Sequence, residues 1–207
     1  NPVRKEFFTI TKNEARKKLN ISQDKKVIFA MGGSQGAKTI NTAMSGILKV
    51  LSENYNAFII LQTGKNKFDE VIENLNQIYP EYKNNSDIMV CPYFDEMVYP
   101  LKAADLVIAR AGSLSLTEII QCHLASILIP YPYAAQDHQR KNAKEMCEKG
   151  VSLYLEDSEC TSENLLDKIN EITSEKLEQM SKQAEKLAKT NPSEEIIKQL
   201  KSTIKNY

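Results

Sequence analysis

The sequence predicts an α/β protein: a three-layer domain on a mostly parallel six-stranded sheet, followed by a helical C-terminal tail. Three observations carry this. Short apolar runs alternate with amphipathic stretches of the length a crossover helix needs. Hydrophobic residues make up 42% of the 207-residue chain, which suits a globular core rather than a disordered segment. Three loops marked by Gly or Pro each follow an apolar run: Gly32-Gly33-Ser34-Gln35-Gly36-Ala37, Arg110-Ala111-Gly112-Ser113 and Pro130-Tyr131-Pro132-Tyr133. In a parallel sheet such loops emerge at one edge, where ligands bind.

Taken in order, residues 1–26 read as a lead-in segment with a short helix around 14–19. Val27–Met31 is a buried strand, and 38–53 a helix with Ile40, Met44, Ile47, Leu48 and Leu51 on one face. Phe58–Leu61 and Ile88–Val90 are strands on either side of a helix over 68–78. The helix over 96–103 contains Pro100, which is expected to kink or restart it. Leu106–Ala109 is the fourth strand, 114–121 a helix and Ile127–Ile129 the fifth strand. A helix over 139–148 stops at Gly150, and Val151–Leu155 is a sixth, edge-like strand. Helices over 162–172, 176–189 and 193–204 follow. The nucleotide-fold core thus spans 27–173 and the tail 174–207, the tail packing on this domain or reaching toward another. Strands separated by helices of this length imply right-handed crossovers.

The charge balance narrows the function. Lys+Arg 27 against Asp+Glu 27 gives a formal net charge of +0, which argues against broad nucleic-acid binding. Arg140, Lys141 and Lys144 read as a solvated helix face. Cys91, Cys122, Cys147 and Cys160 form no C-x-x-C pair and lie apart from His123 and His138, so no metal site is expected and free thiols in a reducing compartment are. No apolar run is long enough to cross a bilayer, and no signal peptide is visible. The chain opens on Asn1-Pro2 rather than Met, as an excised fragment would.

Several residues have the chemistry to bind a ligand, each with a plainer alternative. Ser34, Gln35 and Gly36 lie where a Gly loop meets a helix N-terminus; they form either a phosphate cradle or a tight turn. The loop is neither a Walker A motif nor G-x-G-x-x-G. Glu118 has the reach to hold a ribose diol, or it closes a capping box with Ser115. Gln139 and Asn142 share a helix face and suit sugar hydroxyls, while Asp137 before them reads as an N-cap. His138 is a general base or a surface residue. Arg4 and Arg110 are anion partners or solvated charges. Tyr93, Phe94, Tyr131 and Tyr133 line a pocket or pack a core.

Together these segments resemble the MurG family of GT-B glycosyltransferases. The resemblance rests on Asn1-Pro2-Val3-Arg4, Gly32–Ala37, Tyr93-Phe94-Asp95-Glu96-Met97, Ala104–Ser113, Thr117-Glu118, Asp137-His138-Gln139 and Asn142-Ala143, in order and spacing from residue 1 to about 155. It implies a Rossmann-like domain that is the donor-binding C-terminal half of a GT-B fold. It implies a UDP-GlcNAc donor, and lipid I as acceptor, bound largely by an N-terminal half with no counterpart here. That half would also supply the usual candidate base and the membrane contact, so this chain alone would be inactive. It implies no cofactor and no metal, and a parent enzyme peripheral on the cytoplasmic face of the membrane. By resemblance, Ser34 and neighbouring N–H groups hold the diphosphate, and Phe94 offers its backbone to uracil. Glu118 binds the ribose. Gly112, Ser113, Leu114 and Ser115 border the diphosphate and sugar, with Arg110 adding charge nearby. Gln139 and Asn142 contact GlcNAc, His138 lies near the sugar, and Arg4 sits at the hinge. Two other readings stand beside this one: a non-catalytic subunit of a split UDP-GlcNAc transferase, and an epimerase domain of the same architecture. The upstream coding sequence separates the transferase half from the split subunit.

Overall fold

The computed structural model describes residues 4–188. Asn1-Pro2-Val3 and the helix expected over 193–204 lie outside the described residues. In chain order the elements are α1 (Glu6–Thr9), α2 (Lys12–Lys18), β1 (Lys26–Met31), α3 (Lys38–Asn54), β2 (Ala57–Gln62), α4 (Phe68–Ile78), β3 (Ile88–Cys91), α5 (Val98–Ala103), β4 (Leu106–Ala109), α6 (Ser113–Gln121), β5 (Ala125–Leu128), α7 (His138–Glu148), β6 (Ser152–Tyr154), α8 (Ser162–Asn170) and α9 (Ser174–Leu187).

All six strands are parallel, in the order β3-β2-β1-β4-β5-β6. The connection direction reverses between β1 and β4, and a crevice opens at such a point outside the strand carboxyl ends. Apolar alternation along β1 divides the core. Ile28 and Ala30 face one layer with Ile40, Met44 and Leu48 of α3, Leu75 of α4 and Leu165 of α8. Val27, Phe29 and Met31 face the other with Phe7 of α1, Ala15 of α2, Leu101 of α5 and Ile119 of α6. A third cluster under β5 joins Leu116, Leu128, Ala143 and Met146 to Ala184 of α9.

α2 of the lead-in is locked to the sheet. Arg16, only 4% exposed, donates to the carbonyls of Ala103 (3.1 Å) and Gln23 (2.7 Å) and to Asp105 (2.8 Å). Asp105 also accepts from the Val27 N–H at 2.7 Å and from Lys12. The tail packs on this domain as far as Leu187: Met180 and Ala184 are buried, and the Ser181 hydroxyl donates to the His123 carbonyl at 2.7 Å.

Three local expectations change. Pro100 causes no break, because α5 starts at Val98 and its missing N–H falls in the first turn. β5 begins two residues earlier than the apolar run, because Ala125 and Ser126 already pair with Leu106 and Val107. The basic run on α7 is not uniformly solvated, since Arg140 is ion-paired to Asp137 and Glu156. The four thiols are free. Burial pushes Cys91 and Cys122 up to about 12 and Cys160 to about 11, and it raises Cys147 as well.

Candidate functional site

The site is built at the β1/β4 switch point. After β1, Gly33 and Gly36 adopt left-handed φ values of 83° and 72°, and the Gly36 N–H closes a turn on the Gly33 carbonyl at 3.1 Å. A Cβ on Gly36 would overlap the Thr63 carbonyl, and one on Gly64 would overlap Gly36. The loop after β1 and the loop after β2 therefore interlock backbone to backbone. Asn41 braces them, donating from Nδ2 to the Thr63 carbonyl at 2.9 Å. Gln35 accepts from Asn66 at 3.2 Å, and Ser34 is exposed at the tip of the turn.

α3 then starts at Lys38 with no side-chain cap and no acid in its first turn. α6, after the neighbouring strand, starts at Ser113 behind Gly112 in the same way. α1, α4, α5 and α7 also lack a side-chain cap bond, whereas α2, α8 and α9 carry Thr caps: Thr11, Thr161 and Thr173. Two uncapped helix N-termini thus face the crevice from adjacent strands, with N–H donors and dipoles suited to an anion.

Glu118 does not close a capping box with Ser115. α6 begins two residues before Ser115, which puts Glu118 in the second turn, without a cap bond. Burial pushes its carboxyl above the ordinary range, and the nearby Arg4 guanidinium pulls it back. Arg4 and Glu118 are therefore brought together, and the Arg4 guanidinium also lies 5.8 Å from the Phe7 ring centroid. A half-buried carboxylate that makes no side-chain hydrogen bond among the described residues is suited to accepting bonds from vicinal hydroxyls.

Phe94 packs edge-on to Phe29, with centroids 6.1 Å apart. Its N–H is already engaged, donating to Gln62 Oε1 at 3.1 Å. Gln62 is 0% exposed, and its Nε2 is buried without a partner. Composition and spacing drew no attention to Gln62. The available signal was a polar residue ending an otherwise apolar strand at the ligand edge.

Arg110 is not the free cation its sequence context suggested. It pairs with Asp157 at 2.5 Å, donates to the carbonyls of Ile129 and Pro130 at 3.1 Å each, and lies 5.6 Å from the Tyr131 ring centroid. Asp137 does not cap α7 through its side chain; it pairs with Arg140 at 3.1 Å. Gln136 and Asp137 both adopt left-handed φ, 50° and 58°, which turns the chain so that α7 opens with His138 and Gln139. Gln139 Oε1 accepts from the Tyr131 N–H at 3.0 Å, and Asn142 Nδ2 donates to the Ala111 carbonyl at 3.0 Å. Each amide is thereby fixed at one end. His138, Leu114, Tyr131 and Tyr133 are exposed, and Gly112 has open space where a side chain would be.

The model of the glycosyltransferase family 28 C-terminal domain matches residues 27–200. The chain belongs to this family. Among curated proteins, the UDP-N-acetylglucosamine–N-acetylmuramyl-(pentapeptide) pyrophosphoryl-undecaprenol N-acetylglucosamine transferase of Carboxydothermus hydrogenoformans is 38% identical over 94% of the chain and 52% of its own length. The protein of the same name from Acetivibrio thermocellus is 31% identical over 100% of the chain and 55% of its own length. Among solved structures, Acinetobacter baumannii MurG superposes with a TM-score of 0.76 at 26% identity, over 95% of the chain and 54% of MurG. The C-terminal CMP-Kdo binding domain of WaaA from the same organism shares the fold, with a TM-score of 0.60 at 12% identity over 84% of the chain and 94% of its own. This family 28 C-terminal domain thus spans about half the length of the curated relatives it matches. Among its described residues no helix is long and apolar enough to cross a membrane.

Proposed function

We propose that this family 28 C-terminal domain is the UDP-GlcNAc-binding half of an inverting transferase that converts lipid I to lipid II in peptidoglycan synthesis. The observation that carries the reading is the pair of uncapped helix N-termini at the switch point, beside a half-buried Glu118 whose side chain makes no hydrogen bond among the described residues. The α3 and α6 termini receive the diphosphate and, as fixed dipoles, stabilise charge on UDP as it leaves. Ser34 and Gly112 border it. Glu118, with Arg4 beside it, takes the ribose hydroxyls. The Phe94 carbonyl accepts from the uracil N3–H, while Gln62 holds the Phe94 N–H. Gln139 Nε2 and Asn142 Oδ1 are the ends left for the sugar, with His138 nearby. Arg110 acts through its carbonyl contacts rather than as an anion ligand. The names of the curated relatives support the donor and acceptor. In this reading, acceptor binding, the catalytic base and membrane contact on the cytoplasmic face belong to the remaining length of such an enzyme.

Calorimetry of the chain with UDP, UDP-GlcNAc, ATP and NAD tests this. UDP and UDP-GlcNAc are expected to bind more tightly than either adenine nucleotide. Glu118→Ala is expected to weaken UDP by about 1.5–3 kcal/mol while leaving the binding of inorganic diphosphate unchanged. Tighter binding of ATP or NAD than of UDP would falsify the reading.

A further inference from the structure

Glu156 and Asp157 follow β6, the edge strand, and no sequence motif marks them. Between them they hold three separate parts of the candidate site. Asp157 Oδ2 accepts from the Thr39 hydroxyl in the first turn of α3 at 3.2 Å. Asp157 Oδ1 pairs with Arg110 at 2.5 Å, and Arg110 in turn gathers the Ile129 and Pro130 carbonyls and the Tyr131 ring. Glu156 accepts from Arg140 through two bonds, Nε to Oε1 at 3.1 Å and Nη2 to Oε2 at 3.2 Å, and from the Tyr154 hydroxyl. The same Arg140 grips both oxygens of Asp137 at 3.1 and 3.2 Å. Asp137 and Gln136 are the two left-handed residues that set up the start of α7. A non-glycine residue in that conformation is strained and persists only where its surroundings hold it.

We propose that the Glu156–Asp157 pair is a positioning device for the donor site: Asp157 registers the diphosphate end and Glu156 the sugar end, neither touching the ligand. This rests on the donor reading above for its ligand assignments. Asp157 ties the α3 N-terminus to the loop after β5, so the anion-facing turn cannot drift from the sheet edge. It also satisfies the Arg110 charge, which keeps that guanidinium on the carbonyls. Glu156 holds Arg140, Arg140 holds Asp137, and the strained turn then presents His138 and Gln139. Bidentate guanidinium–carboxylate geometry suits this task because it fixes orientation as well as distance.

The test compares Asp157→Asn and Glu156→Gln with the parent chain, measuring UDP and UDP-GlcNAc affinity, melting temperature and amide hydrogen exchange without ligand. Asp157→Asn is expected to weaken UDP and UDP-GlcNAc alike, by a factor of about 5–30. Glu156→Gln is expected to leave UDP within about twofold while abolishing most of the difference between UDP-GlcNAc and UDP. In the ligand-free chain, exchange is expected to speed up over 37–41 and 129–131 in the first variant, and at Tyr131 and over 136–140 in the second. Those exchange changes stand even if the parent binds no UDP, so loss of the donor reading is distinguishable from loss of the positioning role. A uniform rise in exchange with lower melting and no split between the two ligands overturns the proposal. So does tighter UDP binding in Asp157→Asn, which would show that Asp157 restrains Arg110 from the anion.

Discussion

Gly36 and Gly112 both border the crevice, for different physical reasons. Gly36 has φ 72° and no room for a Cβ beside the Thr63 carbonyl. Gly36→Ala is expected to cost about 1–3 kcal/mol of stability, seen as a lower melting temperature with or without UDP. Gly112 has an ordinary φ of −69° and open space around it. Gly112→Ala is expected to leave stability unchanged or raise it by about 0.4–1 kcal/mol, yet to weaken UDP, because in the proposed reading the added methyl stands where the diphosphate approaches. Unchanged UDP affinity in Gly112→Ala would place the anion elsewhere. Glu118 gives a pH signature. Its carboxyl is raised by burial, so the folded chain holds a proton that the unfolded chain has released. Stability from this group therefore falls as pH rises from the unfolded value through the folded one. In the proposed reading affinity runs the other way: the ionised carboxylate makes charge-assisted bonds to the ribose hydroxyls that the protonated carboxyl makes more weakly, so UDP binding weakens as pH falls through the raised value. A pH titration of UDP affinity in the parent and in Glu118→Gln checks this, the variant being expected to lose that dependence.

The helices divide by how they begin. Thr161 and Thr173 accept from the N–H groups of Asn164 and Lys176 at 3.2 Å each. Thr173→Ala is expected to cost about 1 kcal/mol, read by thermal melting, with UDP affinity unaffected. α3 and α6 lack such caps, as do α1, α4, α5 and α7; in the proposed reading the ligand completes α3 and α6, and saturating UDP is expected to stabilise the chain by about 2.7 kcal/mol at a hundredfold excess over Kd. A Thr173→Ala variant with weakened UDP binding would contradict this division of roles. Element identity was legible in the sequence because apolar periodicity is a property of short windows: β4 and α4 have the bounds the pattern gave. The start of α6 was legible to within one residue, but its first-turn chemistry was not. Ser115-x-x-Glu118 imitates a capping box, and only the register of the preceding turn shows that the helix has begun at Ser113. The partners of Arg110 and Arg140 were equally hidden, because Asp157 and Glu156 lie 47 and 16 residues away in the chain. Long-range ion pairs leave no local period to read.

Over the whole molecule, the ligand edge and the opposite edge of the sheet are stabilised differently. Glycine turns and uncapped helices occupy the first. The Arg16–Asp105 assembly occupies the second and ties α2 to the strands. Arg16→Ala is expected to destabilise the chain by about 1–3 kcal/mol, because the Ala103 and Gln23 carbonyls lose their donor while Asp105 keeps the Val27 N–H and Lys12. Chemical denaturation measures that, and a cost below about 1 kcal/mol would mean that solvent readily replaces the guanidinium. The parallel sheet and its switch point were legible because topology follows from the order of strands and helices. The bracing behind the site was not, because it depends on which loops the folded sheet brings together. The burial of the thiols has a practical consequence. All four ionise well above neutrality's reach or are shifted in that direction, and a thiol reacts as its thiolate. A cysteine introduced at Tyr133, 83% exposed beside the crevice, would be alkylated far faster than any of them. With Cys160 buried and Cys91, Cys122 and Cys147 only partly exposed and their thiols shifted upward, the sequence is already a background for placing one fluorophore on the rim and following nucleotide titrations.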